Sequence, residues 1–579
     1  MLQISSGKFY ASRNPEQLEV TWHRGVLYTN YHCLRDQITE TDVGKLLPAV
    51  GSGGLYTFVC EVVERLEKPP GSAMACNIIS VGPDAFIEDF AAIISFHLNV
   101  ICTPDHGLAQ RLILAQRPGL GIPALPKAYV SRMFDSDISY KEDELEGLKA
   151  FVTNLIGLER KAYERAMRAI HRYVTAMHRL ADDLDLTYVL LVASIESLVQ
   201  GYDAFTTGWH DLSAQKRKPI DDALEGLGED VVTRVHQAVL KSEHVALKRR
   251  FLEFTRHHIE PRFFRDEAKD QLHPAGRTEL FEGVKKAYDL RSAYIHALTP
   301  LPKNLVVHPA HTDIFLLDSD PHLTFHGLAR VARHVIMEFI DQSPKVEREE
   351  FVDYVSSYPN IGRYRAAPQC WIGNAENYSH KTARQYLNGF LERLAVCLRD
   401  RGQKLGDMQA VLTEIENRVP SLATPEQRMP MLALHRLFQP YLPDEKKAGA
   451  AAFLDKYRAE FDVPSIESLI VQCLNGEQTP DWGLEESDRL LREYNVQRFQ
   501  RNGVNAGSLT GAALILWVAE MHRKAGQDGC VRKCIAYAVE EYPQEKGLYK
   551  LEKNLAEGDI PEIRWQDVLL PERARTAPA

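Results

Sequence analysis

The pattern of apolar and polar positions divides the chain into three regions, of which the first, residues 1–130, mixes strand and helix signals. Short apolar runs with β-branched or aromatic residues predict strands at 25–31, 77–81 and 99–102, and apolar positions three and four residues apart predict helices at 54–66 and 84–97. This pattern is typical of a mixed α/β domain, which we expect to act as a sensor or regulator.

The second region, residues 131–345, carries mostly helical spacing. The spacing predicts a long helix at 148–184, a helix at 187–200, short helices at 216–258, a helix that begins near Glu279, and an amphipathic helix at 327–341. Short apolar runs at 305–308 and 314–317 predict a small β element. The helix at 187–200 is apolar nearly all round, so we expect it to be buried.

The third region, residues 346–579, predicts an all-helical domain. Helical patterns occupy 377–398, 407–418, 427–438, 447–461, 465–474 and 485–500. Residues 511–524 and 530–541, followed by Pro543, are similar to one tetratricopeptide-like helix pair. The predicted fold class is therefore mainly α, and we interpret the third region as an interaction domain that holds partners or assembles an oligomer.

Composition and charge narrow the classes of function. The net charge of −10, with 45% hydrophobic and 26% charged residues, indicates a globular protein and excludes a generic nucleic-acid binder. The nine cysteines lack paired metal-ligand spacing, no signal peptide is evident, and no apolar run approaches the roughly 20 residues of a membrane helix. We therefore expect a cytoplasmic protein without membrane contact, in which any RNA contact depends on a local basic patch.

The strongest candidate chemistry lies near the end of the helix that begins at Glu279. Arg291, Ser292 and His296 stand there among apolar neighbours, and Pro300 ends the helix soon afterwards. Ser292 and His296 are four residues apart and share a helix face, which the long Arg291 side chain can reach. A cation, a hydroxyl and an imidazole together suit chemistry on a phosphodiester.

Two further features could support this motif. Glu196 lies within the apolar helix at 187–200, where a carboxylate needs partners. Glu196 either forms a structural salt bridge or acts as an acid that orients Arg291 or His296. A basic run is interleaved with Phe251, Phe254, Phe263 and Phe264; it is either an RNA-binding surface or a solvated face whose phenylalanines anchor the core. The residues assigned to RNA binding are Lys248, Arg249, Arg250, Arg256 and His257.

Three patterns suggest ligand sites but lack essential groups. Residues 51–54, GSGG, lack the Lys-Ser/Thr of a phosphate-binding loop, so we interpret them as a turn before a helix. His308, His311 and Asp313 have no fourth zinc ligand. His171 and His178 share a helix face without an evident carboxylate, so we predict a polar or interface stripe. The sequence therefore predicts neither a metal ion nor another cofactor.

The order of helices around Arg291 and His296 resembles a HEPN domain (higher eukaryotes and prokaryotes nucleotide-binding). The resemblance covers residues 150–341 and is closest to the Apea-like group found in bacterial phage-defence nucleases. Arg291 and His296 match the family hallmark, Arg followed by His after four to six residues. Ser292 stands where the family often has Asn, Asp or His, and it keeps a polar group there.

The resemblance implies a helical nuclease bundle that works without metal, as a homodimer or a higher homo-oligomer. Such an enzyme would cleave cellular RNA, either tRNA or mRNA, to 2′,3′-cyclic phosphate and 5′-hydroxyl ends, as a regulated toxin or antiviral defence effector. A regulatory protein or ligand would act through the first or third region. Two alternatives remain: a non-catalytic HEPN scaffold that binds nucleotide, and an interaction protein that acts mainly through its helical third region.

Overall fold

The computed structural model describes residues 1–7, 18–34, 37–67, 76–80, 82–199, 208–209, 212, 214–242, 247–269, 271–347, 361–400, 402–476, 480–555 and 560–570. The chain divides into two compact units, Met1–Ser72 with Ile78–Arg363 and Ala73–Asn77 with Tyr364–Ala579. The fold is mainly α, as the sequence predicts, with an α/β region at the N-terminal end of the first unit.

The strands of the described part of the chain are β1 (Leu18–Thr29), β2 (Tyr31–His32), β3 (Thr39–Thr41), β4 (Gly44–Ser52), β5 (Leu55–Glu67), β6 (Cys76–Ser80), β7 (Cys102–Thr103), β8 (Ile138–Ser139), β9 (Ile314–Leu317), β10 (Asp320–Leu323) and β11 (Ile361–Arg365). Five of them form an antiparallel sheet in the order β3-β4-β5-β1-β7. The strands β9 and β10 form a separate hairpin. The strand predictions at 25–31 and 314–317 are confirmed.

The helix predicted at 54–66 is wrong, because this segment is strand β5. Its apolar residues fit helical spacing, but Phe58, Cys60 and Val62 also alternate at period two, and all three are buried in the sheet. Pairing with β1 along the whole strand decides between the two patterns. The preceding GSGG segment is consequently a hairpin turn rather than a turn before a helix, and Gly53 and Gly54 adopt positive φ angles there.

The first unit contains the described helices α1 (Leu2–Ser5), α2 (Asp84–Leu98), α3 (His106–Ile113), α4 (Pro126–Tyr129), α5 (Glu142–Ile156), α6 (Arg160–Arg179), α7 (Leu184–Val199), α8 (Ala214–Leu224), α9 (Glu229–Ser242), α10 (Leu247–His257), α11 (Arg277–Ala297), α12 (Lys303–Val307) and α13 (Phe325–Gln342). The helix α7 is buried as predicted, and it contacts α6, α10, α11 and α13. One hydrophobic core extends across both sides of residue 130.

The segment predicted as a strand at 305–308 forms the short helix α12 instead. Its β-branched residues favour a strand, but local propensity is a weak constraint that tertiary contacts override. Leu305 is buried in the core, and the Tyr129 hydroxyl donates a hydrogen bond to the Val306 carbonyl at 2.9 Å. These contacts hold a single helical turn immediately after α11.

Helix α13 is fixed against the β9–β10 hairpin by a buried ion pair and a close backbone approach. Arg330 donates two hydrogen bonds to Asp313, from Nη2 at 2.6 Å and from Nε at 3.0 Å, and Asp313 is only 1% exposed. A Cβ atom at Gly327 would lie 2.1 Å from the Asp313 carbonyl oxygen, so only glycine fits there. The same carboxylate accepts the Ala275 N–H, which positions the start of α11.

The second unit contains the described helices α14 (Ala383–Arg399), α15 (Gln409–Arg418), α16 (Pro425–Phe438), α17 (Asp444–Asp455), α18 (Arg458–Phe461), α19 (Ile466–Asn475), α20 (Gly483–Gln497), α21 (Gly507–Lys524), α22 (Asp528–Glu541), α23 (Lys546–Leu555) and α24 (Trp565–Leu569). They surround a hydrophobic core of their own, so the region predicted to be all-helical is mainly helical, with strand β11 as an exception. The predicted helix pair is present as α21 and α22. Across both units, none of the described helices combines the length and apolar character needed to cross a membrane.

Candidate active site

The motif residues lie in the last two turns of α11. The helix begins at Arg277, two residues before the predicted start, and Glu279 accepts the Gly276 N–H at 3.0 Å in a cap. It ends at Ala297 because Leu298 adopts a left-handed conformation, with φ of 50°. Arg291 and His296 are five residues apart, which separates their backbones by about 7.5 Å along the helix axis.

Arg291 forms an ion pair with Glu196 that joins α11 to α7. The Arg291 Nη2 donates to Glu196 Oε2, and the two side chains are only 23% and 21% exposed. The guanidinium also lies over the Tyr288 ring, 5.8 Å from its centroid. Both interpretations of Glu196, the salt bridge and the acid that orients Arg291, are compatible with this contact. The structure brings Glu196 to Arg291, and it shows no contact between Glu196 and His296.

Burial shapes the electrostatics of this pair. It raises the pKa of the Glu196 carboxyl, while the Arg291 charge and a hydrogen bond from Tyr288 act in the opposite direction. Burial and the Glu196 charge raise the pKa of the Tyr288 hydroxyl. The sequence alone assigns no role to Tyr288, although its position three residues before Arg291 places both side chains on neighbouring parts of one helix face.

The ion pair leaves part of the Arg291 guanidinium unsatisfied. Its Nε is buried and has no hydrogen-bond acceptor among the residues that the structure describes. A buried donor without an acceptor is unusual in folded proteins and is explained by strain, by a catalytic role, or by a bound water or ion. Guanidinium donors match phosphate oxygens in geometry and charge. Arg291 is therefore held by one carboxylate, and its side chain remains partly exposed, so an anion can approach the guanidinium.

His296 has a different environment, because it is exposed at the end of α11. Within the described chain it makes no hydrogen bond and no ion pair, so the imidazole nitrogens are not committed to other protein groups. Ser292, one turn earlier on the same face, is partly buried. Ile295 and Leu298 flank His296 and are 51% and 73% exposed. The imidazole thus stands in an exposed apolar surface.

In the predicted RNA-binding run, the phenylalanine rings pack in the hydrophobic core and the charged side chains lie mainly at the surface. The rings of Phe251, Phe254 and Phe263 are buried in the core, and Phe264 packs partly against it. The phenylalanines are therefore core anchors and not a stacking platform for bases.

The charged side chains of the same run lie on or near α10. Lys248 donates to Asp289 of α11 at 2.5 Å, two residues before Arg291. Arg256 pairs with Glu253 at 3.0 Å. Arg249 and His257 are exposed, whereas Arg250 is partly buried. The pairing of Lys248 places this basic surface next to the helix of the motif, and RNA contact by these residues stays a prediction.

Three of the remaining titratable candidates are engaged in structural contacts, whereas His308 is exposed. Asp313 is held by Arg330, and His311 contacts the Lys127 carbonyl oxygen at 2.8 Å. His171 contacts Asp89 at 2.7 Å, so α2 supplies the carboxylate that the sequence alone does not reveal. Burial lowers the pKa of His178 to about 4. Among the described residues, no group of three His, Cys, Asp or Glu side chains is arranged to hold a metal ion.

Comparison with known proteins adds no further constraint on the site. No protein-family model, curated protein or solved structure matches this chain.

Proposed function

We propose that this protein is a metal-independent endoribonuclease in which Arg291 and His296 carry the reaction. The proposal rests on the different environments of these two residues near the end of α11. Arg291 is fixed by Glu196 and has an unsatisfied hydrogen-bond donor, whereas His296 is exposed and makes no hydrogen bond within the described chain. A positioned cation and an imidazole that can exchange protons are the two groups that phosphodiester cleavage needs when no metal takes part.

In the proposed reaction the ribose 2′-oxygen attacks the adjacent phosphorus as its proton leaves to a base. The bond from phosphorus to the 5′-oxygen then breaks, and an acid returns a proton to that oxygen. The products are a 2′,3′-cyclic phosphate and a 5′-hydroxyl. Arg291 stabilises the charge on the phosphorane oxygens, and Ser292 offers a hydroxyl to the same group. Since DNA lacks the 2′-hydroxyl, the reaction is specific for RNA.

One imidazole cannot easily serve as base and acid on opposite sides of the phosphorus in a single step. A two-fold homodimer supplies two copies of His296 and Arg291 in one cleft. The exposed Ile295 and Leu298 beside His296 support pairing through this end of α11, because apolar area removed from water stabilises an interface. We propose that the functional site is composite.

The wider role follows from the resemblance to HEPN ribonucleases. We propose a regulated toxin or antiviral defence effector acting on cellular RNA, with regulatory input at the N-terminal α/β region and partners at the second unit. Induced expression in bacterial cells tests this role. Growth arrest with RNA cleavage is expected for the wild type and not for His296→Ala, and equal arrest by both would contradict it.

A non-catalytic scaffold is the alternative, and one observation favours it. Arg291 already has a carboxylate partner within its own chain, as a purely structural arginine would. In that case the exposed apolar residues around His296 would serve assembly alone. The two functions predict different effects of substituting His296, because a scaffold needs no group for proton transfer.

Substitution of His296 tests the catalytic proposal. His296→Ala removes the proton-transfer group, so RNA cleavage should fall by about 10²–10⁴-fold while the far-ultraviolet circular dichroism spectrum stays unchanged. Cleavage by the wild type should persist in EDTA. His308→Ala, which alters another exposed histidine of the same unit, is the matched control and should retain activity. Equal activity of His296→Ala and the control would place the chemistry elsewhere.

Substitution of Glu196 separates its two interpretations. Glu196→Gln keeps the side-chain shape but removes the charge that holds Arg291, so kcat should fall by about 100-fold with a smaller change in KM. The free energy of unfolding should fall by about 1.5–3 kcal/mol, the worth of a charged hydrogen bond. Glu282→Gln, which removes an exposed partner of Lys285 on α11, should change neither quantity appreciably. Lost stability with unchanged kcat would make Glu196 purely structural.

Substitution at the apolar end of α11 tests the composite site. Leu298→Glu places a charge in the proposed interface, so light scattering should report a monomer at concentrations at which the wild type is a dimer, and cleavage should fall with dimer content. Leu316→Glu, at an exposed position on β9, is the control and should remain dimeric. A wild type that is strictly monomeric with and without RNA would rule out the composite site.

A further inference from the structure

The second unit contains a large concave cavity that the proposed reaction does not use. Its volume is about 890 Å³, and it lies at the end of α14, bordered by the segment 403–409 and by the start of α17. Small-molecule sites typically occupy about 300–1,000 Å³. All of its lining residues belong to the second unit, so the cavity can be considered independently of the α11 motif.

The inner wall of the cavity is apolar. Leu394, Phe438 and Leu442 are buried members of the hydrophobic core that reach its surface, and Leu398 packs partly against them. Cys397 adds a partly buried thiol whose pKa is raised by burial. A neutral thiol and aliphatic or aromatic groups favour an apolar ligand body over a polar one.

The rim of the cavity carries positive charge. Lys404 is exposed and forms no ion pair within the described residues. Lys446 donates to the neutral amide oxygen of Gln409 at 2.9 Å, so its charge is not balanced by a carboxylate in that contact. The one acidic lining residue, Asp407, already accepts the Gln409 N–H at 2.9 Å at the start of α15. The charged groups that line the cavity are therefore two ammonium groups and one carboxylate, and one oxygen of that carboxylate already accepts a backbone hydrogen bond.

We propose that this cavity binds a small amphipathic anion. Its hydrocarbon body would lie against Leu394 and Phe438, and its anionic group would lie between Lys404 and Lys446. The separation of an apolar wall from a cationic rim matches an amphipathic ligand and neither a sugar nor a metal ion. An aliphatic carboxylate and the C-terminal residue of a peptide share this chemistry. The proposal is independent of the RNA-cleaving function.

Fluorescence titration of the full chain with 8-anilinonaphthalene-1-sulfonate tests the charge requirement. This probe combines an aromatic body with one anionic group, and we expect one saturable site. The double variant Lys404→Gln/Lys446→Gln should bind about 10-fold more weakly, because it loses two favourable charge contacts. Lys404→Arg/Lys446→Arg is the matched control and should bind like the wild type. An unchanged dissociation constant in the Gln variant would overturn the proposal.

Alkylation of Cys397 locates the ligand. Iodoacetamide modification of the peptide that contains Cys397, followed by mass spectrometry, should slow when decanoate or a short apolar peptide with a free carboxylate occupies the cavity. Protection by decanoate alone identifies an aliphatic carboxylate, and protection by the free-carboxylate peptide but not its amide identifies a peptide C-terminus. Exposed Cys370 is the internal control and should react at an unchanged rate. Modification of Cys397 that neither ligand slows would overturn the proposal.

Discussion

The ion pair between Glu196 and Arg291 is the interaction on which the proposed site depends. It joins the buried helix α7 to the last turns of α11, and so fixes an arginine at the edge of the core rather than leaving it in solvent. An isolated partly buried charge would be costly, and the carboxylate offsets that cost. The same contact holds the guanidinium in one orientation. Binding of a phosphate would therefore cost less conformational entropy.

The end of α11 combines this rigid cation with a solvent-facing imidazole. The left-handed conformation of Leu298 stops the helix at Ala297, so His296 lies in the last turn of the helix, where it is exposed. The buried pair Asp313–Arg330 fixes the other end of the helix through the Ala275 N–H. The catalytic proposal therefore depends on a helix held at its start by one ion pair and near its end by another.

Much of this organisation was predictable from the sequence, and the errors have physical causes. Amphipathic helices such as α13, α16 and α20 were predicted because their periodicity extends over several turns. Strand β5 was missed because its apolar residues satisfy both periods, and only pairing with β1 decides. Helix α12 was missed because contacts distant in sequence hold a segment of β-branched residues.

At the candidate site, too, local signals were found in the sequence, whereas contacts between distant segments were not. The motif on α11 was identified from spacing, and Glu196 from a carboxylate in an apolar helix, because both signals are local. The partners of His171 and Asp313 were not identifiable, since Asp89 and Arg330 lie on other elements. The burial of the phenylalanines near α10 likewise depends on tertiary packing, which the composition of the segment does not determine.

The chemical identity of the RNA ends produced by the purified protein tests the central claim most directly. Mass spectrometry of fragments from an RNA oligonucleotide incubated in EDTA should show 2′,3′-cyclic phosphate and 5′-hydroxyl ends. A matched oligonucleotide with a 2′-deoxyribose at the cleaved position should remain intact there, because it lacks the nucleophile. Fragments with 3′-hydroxyl and 5′-phosphate ends, or cleavage at the 2′-deoxy position, would contradict the account.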